Sequence, residues 1–145
     1  MEVVTTALYD RLAGDAELAG MLSTYRATPQ SASRPAVFTV DPAPGNARLP
    51  FVVLPGPMTD TAYDTKTRQG RQIWRDARCY AAADGGSALI ERIAERVRAL
   101  LHRQPLEIDG YGVWVSECSG PVAADDAEAY GRIVTVRLIV MEDEG

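Results

Sequence analysis

Three stretches of the chain carry a clear period. Residues 2–13 place Val4, Leu8 and Leu12 on one stripe, with Val3 and Ala7 beside it, which predicts an amphipathic helix. Residues 87–102, SALIERIAERVRALLH, read as the strongest helix, because Leu89, Ile90, Ile93, Val97, Leu100 and Leu101 form one wide apolar stripe. Its acids Glu91 and Glu95 come first, and Arg96, Arg98, His102 and Arg103 come last, the order that the helix dipole favours. Residues 130–141, YGRIVTVRLIVM, alternate instead. Val134, Val136, Leu138 and Val140 share one face and Thr135 and Arg137 the other, which predicts a long, half-buried strand.

The remaining elements are read from weaker signals. Asp15 suits an N-cap for a short second turn, AELAGML. Residues 23–34 are Ser-, Thr-, Pro- and Gln-rich and read as a connection. PAVFTVD (35–41) and LPFVVLPGP (49–57) read as short strands around a PAPGNAR loop. Pro50 and Pro55 each remove a ladder donor, so the second is short or near an edge.

A further strand is expected over 70–82, with Ile73, Ala77 and Cys79 on one face and Gln72, Asp76 and Arg78 on the other. ADGGS then breaks the chain, with Asp84 or Ser87 available to cap the strong helix. PLEIDGYGVWVSEC (105–118) reads as a hairpin turning near Asp109–Gly110. Hairpins in place of repeated βαβ units imply an α+β fold. The expectation is a single domain over 1–145, a mainly antiparallel sheet with two main helices packed on it.

Composition narrows the class. No apolar run is long enough to predict a membrane span, and no membrane partner is expected. The stretch MEVVTTALYDRLAG lacks the basic start and long apolar run of a signal peptide and is expected to belong to the fold. Cys79 and Cys118 stand alone, without ligand-like spacing, and are expected to fill small apolar sites rather than join in a disulfide.

The formal charge of −5 is unevenly spread, because ADDAEA (124–129) and MEDEG (141–145) hold acids and no base. Such a chain is a poor general binder of nucleic acid, whose affinity comes mainly from Lys and Arg on phosphates. All but Lys66 of the basic residues are Arg, a bias that a GC-rich genome would produce.

Candidate chemistry is sparse. His102 is the only histidine and falls at a helix end, where a surface residue is the simplest reading. There is no phosphate loop, and GYG at 110–112 is a turn rather than a dinucleotide fingerprint. Asp125, Asp126 and Glu128 could meet a divalent cation, but clustered acids in a polar segment are ordinarily solvated. Trp74, Tyr80 and Trp114 fall on expected strands and suit a core or an interface. No catalytic, cofactor or metal site is expected, and the chain is not read as an enzyme.

The order of elements resembles the tail terminator, also called tail completion or head–tail joining, proteins of long-tailed phages and related prophage or gene-transfer particles. The features that carry the resemblance are ALYDRLAGDAELAGML, LPFVVL, DTKTRQGR leading into a strand, ALIERIAERVRALL, LEIDGYGVWV and AYGRIVTVRLIV. Together they cover roughly 5–141 in the family's order, and TK followed by GR before a strand is the most specific. The longer segment 23–48 and the acidic insert near 121–129 depart from the pattern.

The resemblance implies a structural virion protein that forms a homo-oligomeric ring, typically a hexamer. That ring caps the tail tube, stops its polymerisation and joins the tail to the head connector, with DNA passing through the lumen without specific binding. The implied partners are further copies of the chain, the tail tube protein and head–tail connector proteins. The implied location is the head-proximal end of the tail, after assembly in the bacterial host cytoplasm. Two other readings stand beside it: a different head–tail connector or tube component, and a small-ligand or enzymatic domain.

Interface positions do not follow from the family pattern and are assigned on physical grounds. A flexible loop from Gly56 to Gly70 is expected to reach a neighbouring subunit or the tube, with Asp64, Lys66, Arg68 and Arg71 as contacts. The alternative is a passive, mobile surface loop. Asp125 and Asp126 are the second candidate contact group.

Overall fold

The computed structural model describes residues 1–84 and 86–143. These residues form three helices, α1 (Glu2–Ala13), α2 (Ala16–Met21) and α3 (Ala88–Leu101). The strands are β1 (Thr24–Tyr25), β2 (Arg34–Pro35), β3 (Val37–Phe38), β4 (Phe51–Val53), β5 (Thr59–Ala62), β6 (Gly70–Ala82), β7 (Tyr111–Ala123) and β8 (Ala129–Glu142). The main sheet runs β3-β4-β6-β8-β7, with β5 on the same edge of β6 as β4. Every pairing in it is antiparallel except β3 with β4.

Periodicity placed the core correctly. Val134, Val136, Leu138 and Val140 of β8 are buried on the helix-facing side, beside Ile73, Ala77 and Cys79 of β6. Onto this face α3 lays Ile90, Ile93, Ala94, Val97, Leu100 and Leu101, all buried, and α1 adds Val4, Leu8 and Leu12. An apolar layer between helices and sheet removes area from water at roughly 25 cal/mol per Å². A smaller cluster extends the core beneath β1–β4, where Tyr25 meets Phe38 edge-on with ring centres 4.8 Å apart. Phe38 in turn meets Phe51, and Phe51 meets Tyr80.

Asp15 caps α2 as expected, accepting from the Leu18 N–H at 2.9 Å. Ser87 occupies the N-cap of α3, but its side chain makes no capping bond. Other expectations need correction. The strand expected over 35–41 shrinks to Val37–Phe38, and that over 49–57 to Phe51–Val53, where prolines interrupt the ladder donors.

The hairpin expected over 105–118 is only pinned at its turn, by a bridge between Ile108 and Tyr111. The long partner of Tyr111–Ala123 is instead β8, with register shifts at Val113/Val115 and Ser119/Val122. The acidic insert near 121–129 is accordingly the end of β7, a turn, and the start of β8.

Candidate interaction surface

The helices cover one face of the sheet, and the other carries mostly polar and charged side chains, with Ile139 and Met141 of β8 buried among them. There Arg137 Nε donates to Gln72 Oε1 at 3.0 Å and lies 3.9 Å from Glu117. Thr135 donates to Asp76 at 2.8 Å, and Arg78 reaches both Asp76 and Asp41. The Arg137 and Thr135 contacts are cross-strand and follow from the register of β6, β7 and β8, whereas Arg78 and Asp76 are neighbours on one face of β6.

The six candidate contact residues fall at opposite ends of the long strands. Gly70 pairs with Met141 and Ala82 with Ala129, so the two ends lie roughly 40 Å apart along β6. At one end the segment 56–70 is not the open loop expected. β5 forms a ladder with β6 from Thr59–Trp74 to Ala62–Arg71, and residues 63–69 close a turn. Arg71 grips Asp60 with two bonds of 2.7 and 2.6 Å, which raises the Arg71 pKa.

The turn itself is internally bonded. Asp64 accepts from the Gly70 N–H at 3.1 Å, and Thr65 N–H donates to the Arg68 carbonyl at 2.9 Å. Arg68 donates to the Glu142 carbonyl at 3.1 Å, and its guanidinium sits over the Trp114 ring, 5.9 Å from the centre. Gly70 leaves no space for a side chain, because a Cβ there would meet the Tyr63 and Val140 carbonyl oxygens at 2.7 Å. Lys66 is exposed at the crown.

At the other end Asp125 accepts from the Gly131 N–H and from Arg132, the latter at 2.6 Å. Asp126 accepts from the N–H groups of Glu128 and Ala129, both at 2.8 Å, and these bonds hold its carboxyl below the usual range. Asp125 and Asp126 thus shape the β7–β8 turn, while Glu128 is exposed beside them.

The free edges of the sheet differ in how they are guarded. Arg103 N–H donates to the Ser116 carbonyl at 2.7 Å, Cys118 N–H to His102 Nδ1 at 3.0 Å, and Arg98 Nε to the Gly120 carbonyl at 3.2 Å. The end of α3 therefore covers β7 where another strand would add. His102, expected at the surface, is half-buried and serves as this edge cap. β5, in contrast, has β6 on one side only, and exposed Met58 and Tyr63 bracket it. Trp114 is also about half exposed, at 52%, beside the same turn. Met58, Tyr63 and Trp114 are three of the five exposed large apolar side chains among the described residues, Val40 and Val122 lying elsewhere, and a group of this kind suits a protein contact.

The rest of the surface offers little for chemistry. Among the described residues, no group of three or more His, Cys, Asp or Glu side chains comes together to hold a metal ion. Burial pushes the Cys79 thiol up to about 12 and that of Cys118 to about 11, so neither is a nucleophile at neutral pH. The cleft between α1 and residues 105–107, about 450 Å³, is an open depression in which Arg11 donates to the Leu100 carbonyl and finishes α3. No described helix is long and apolar enough to cross a membrane.

Sequence reasoning missed Arg75. It lies on the helix-facing side of β6 between Ile73 and Ala77 and is 1% exposed. Its Nη1 donates to Thr5 of α1 and its Nη2 to the Pro55 carbonyl, each at 2.9 Å. The available signal was a charged residue at a core position of the alternation. Asp60, the partner of Arg71, was missed for lack of any pattern across TDTA.

Comparison with known proteins follows the same lines. The family model described as "Tail completion protein gp17" matches residues 6–141. A solved chain from "Virion of native gene transfer agent (GTA) particle" shares the fold with a TM-score of 0.76. That likeness spans 95% of this chain and 94% of the other at 19% identity. No curated protein sequence matches the chain.

Proposed function

The chain belongs to the tail completion protein family, and on that premise we propose that it is a structural virion protein, the subunit of a tail terminator ring. Copies of the chain form a closed ring, a hexamer, on the last ring of the tail tube. The ring ends tube growth and presents a surface to the head connector at the head-proximal end of the tail. It is assembled in the bacterial host cytoplasm, on a phage, prophage or gene-transfer particle. The observation that carries this reading is the family match over residues 6–141.

The surface is consistent with such a part. A ring subunit needs two different lateral contacts, because a head-to-tail interface joins unlike patches. The β5–β6 hairpin, with Asp64, Lys66, Arg68 and Arg71, supplies one patch, and the β7–β8 turn, with Asp125 and Asp126, supplies another. The net charge of −5 gives passing DNA little to adhere to.

The test is native mass spectrometry and electron imaging of the purified protein at several concentrations, alone and with tail tubes. Closed rings, free or seated on tube ends, are the expected result. Lys66→Glu should reduce ring formation while leaving the melting midpoint of the subunit nearly unchanged. Monomers in every condition, tubes included, would overturn the proposal.

A further inference from the structure

Arg75 is among the largest fully buried side chains of the described residues, and none of their carboxylates pairs with it. Its acceptors are one hydroxyl and one carbonyl, and its Nε has no partner. Burial lowers its pKa, with only the neighbouring charge of Asp60 opposing the shift. Replacing buried charged groups with well-packed apolar side chains of similar volume is often neutral or stabilising. Stability alone therefore does not account for an arginine here.

Its location does. β4 and β5 pair with the same edge of β6, at Arg78–Tyr80 and at Arg71–Trp74, which leaves a gap opposite residues 75–77. The link from Leu54 to Met58 crosses that gap, and its Pro55 carbonyl takes one arm of the guanidinium. The other arm reaches Thr5 on α1. A planar guanidinium holds its donors in fixed relative directions. The fork thus ties the link, and the β5–β6 hairpin that follows it, to a helix packed on the core.

We propose that Arg75 is a positioning residue: it sets the direction in which the β5–β6 hairpin projects by fastening the Leu54–Met58 link to α1. Its importance for assembly rests on the reading of that hairpin as a docking element. Its effect on the hairpin itself does not.

The experiment is amide hydrogen exchange on the free subunit, with tube capping as a second readout. Arg75→Met keeps the volume and removes every donor. The β5 amides that face β6, those of Thr59 and Thr61, should then exchange about tenfold faster or more, the scale of losing a charged hydrogen bond. Val134–Val140 should keep their wild-type rates, and tube capping should fall. Arg75→Lys should restore part of both. Thr5→Val removes the helix acceptor, along with the 3.4 Å bond from the Thr5 hydroxyl to the Met1 carbonyl, and tests the tether if Arg75→Met fails to fold; faster exchange confined to α1 and β5 is expected.

Unchanged β5 exchange in these variants, or equal acceleration in β5 and β8, would overturn the positioning role. Wild-type protein that never caps tubes would refute the terminator reading, while the exchange data would still decide the role of Arg75.

Discussion

Asp15 has two roles. It caps α2 through the Leu18 N–H, and it holds Arg96 of α3 with bonds of 2.9 and 2.7 Å. The Arg96 bond is the main reason that its carboxyl sits below the usual value. A depressed acid stabilises the fold above its unfolded pKa, near 4, and that contribution is lost as pH falls through the folded value. An asparagine at this position would keep a capping oxygen but lose the charge. Asp15→Asn should therefore lower the melting midpoint at pH 7, and the gap from wild type should close below about pH 4. Thermal melts of both proteins across that range are the check. A gap independent of pH would assign the stabilisation to the cap. Glu17, also 3.2 Å from Arg96, keeps the loss small.

Among the elements, α3 and β8 carry the core between them. Ile93 and Val136 are 0% and 1% exposed, and both belong to the main apolar cluster. Truncation removes transfer free energy and leaves a cavity, so Ile93→Ala and Val136→Ala should each cost about 1–5 kcal/mol. Chemical denaturation should show a lower midpoint at unchanged slope. Unaltered midpoints in both variants would contradict this core. The β5–β6 hairpin is a different kind of element. It draws its order from one ladder, the pairs of Asp60 with Arg71 and the Met1 amino group, the bonds of its own turn, the contacts of Arg68 and the tether at Arg75, and little from apolar burial. Such an element opens more easily than the core.

For the molecule as a whole, the hairpin end is where an assembly contact would be read most directly. Lys66 stands exposed at the crown, whereas Arg71 lies within the ladder and is paired to Asp60. Limited trypsin treatment of the free subunit should thus cut after Lys66 first and spare Arg71. The cut should be slowed strongly when the protein sits in a ring or on tails. Mass analysis of the fragments gives the sites, and their time courses give the protection. Equal cutting in both states would make the hairpin a passive surface feature, and a contact surface for the ring would have to be found elsewhere.

The sequence by itself determined α1, α3, β8 and most of β6, because each repeats its apolar residues at the period of its own geometry. It determined the Asp15 cap for the same local reason. It also carried the family order of elements. Only the tertiary structure decided the rest. TDTA has no alternation to mark it, and it becomes β5 because β6 offers a bare edge opposite Arg71–Trp74. Tyr111–Ala123 becomes one long strand because β8 sets its register across two irregularities, which local composition does not encode. His102 became an edge cap through its contact with Cys118. Arg75 became a buried fork because Thr5 and Pro55, distant in sequence, bring it a hydroxyl and a carbonyl. Local periodicity records which face of an element is dry. The partner that satisfies a polar group there comes from another part of the chain, and it is chosen only when the chain folds.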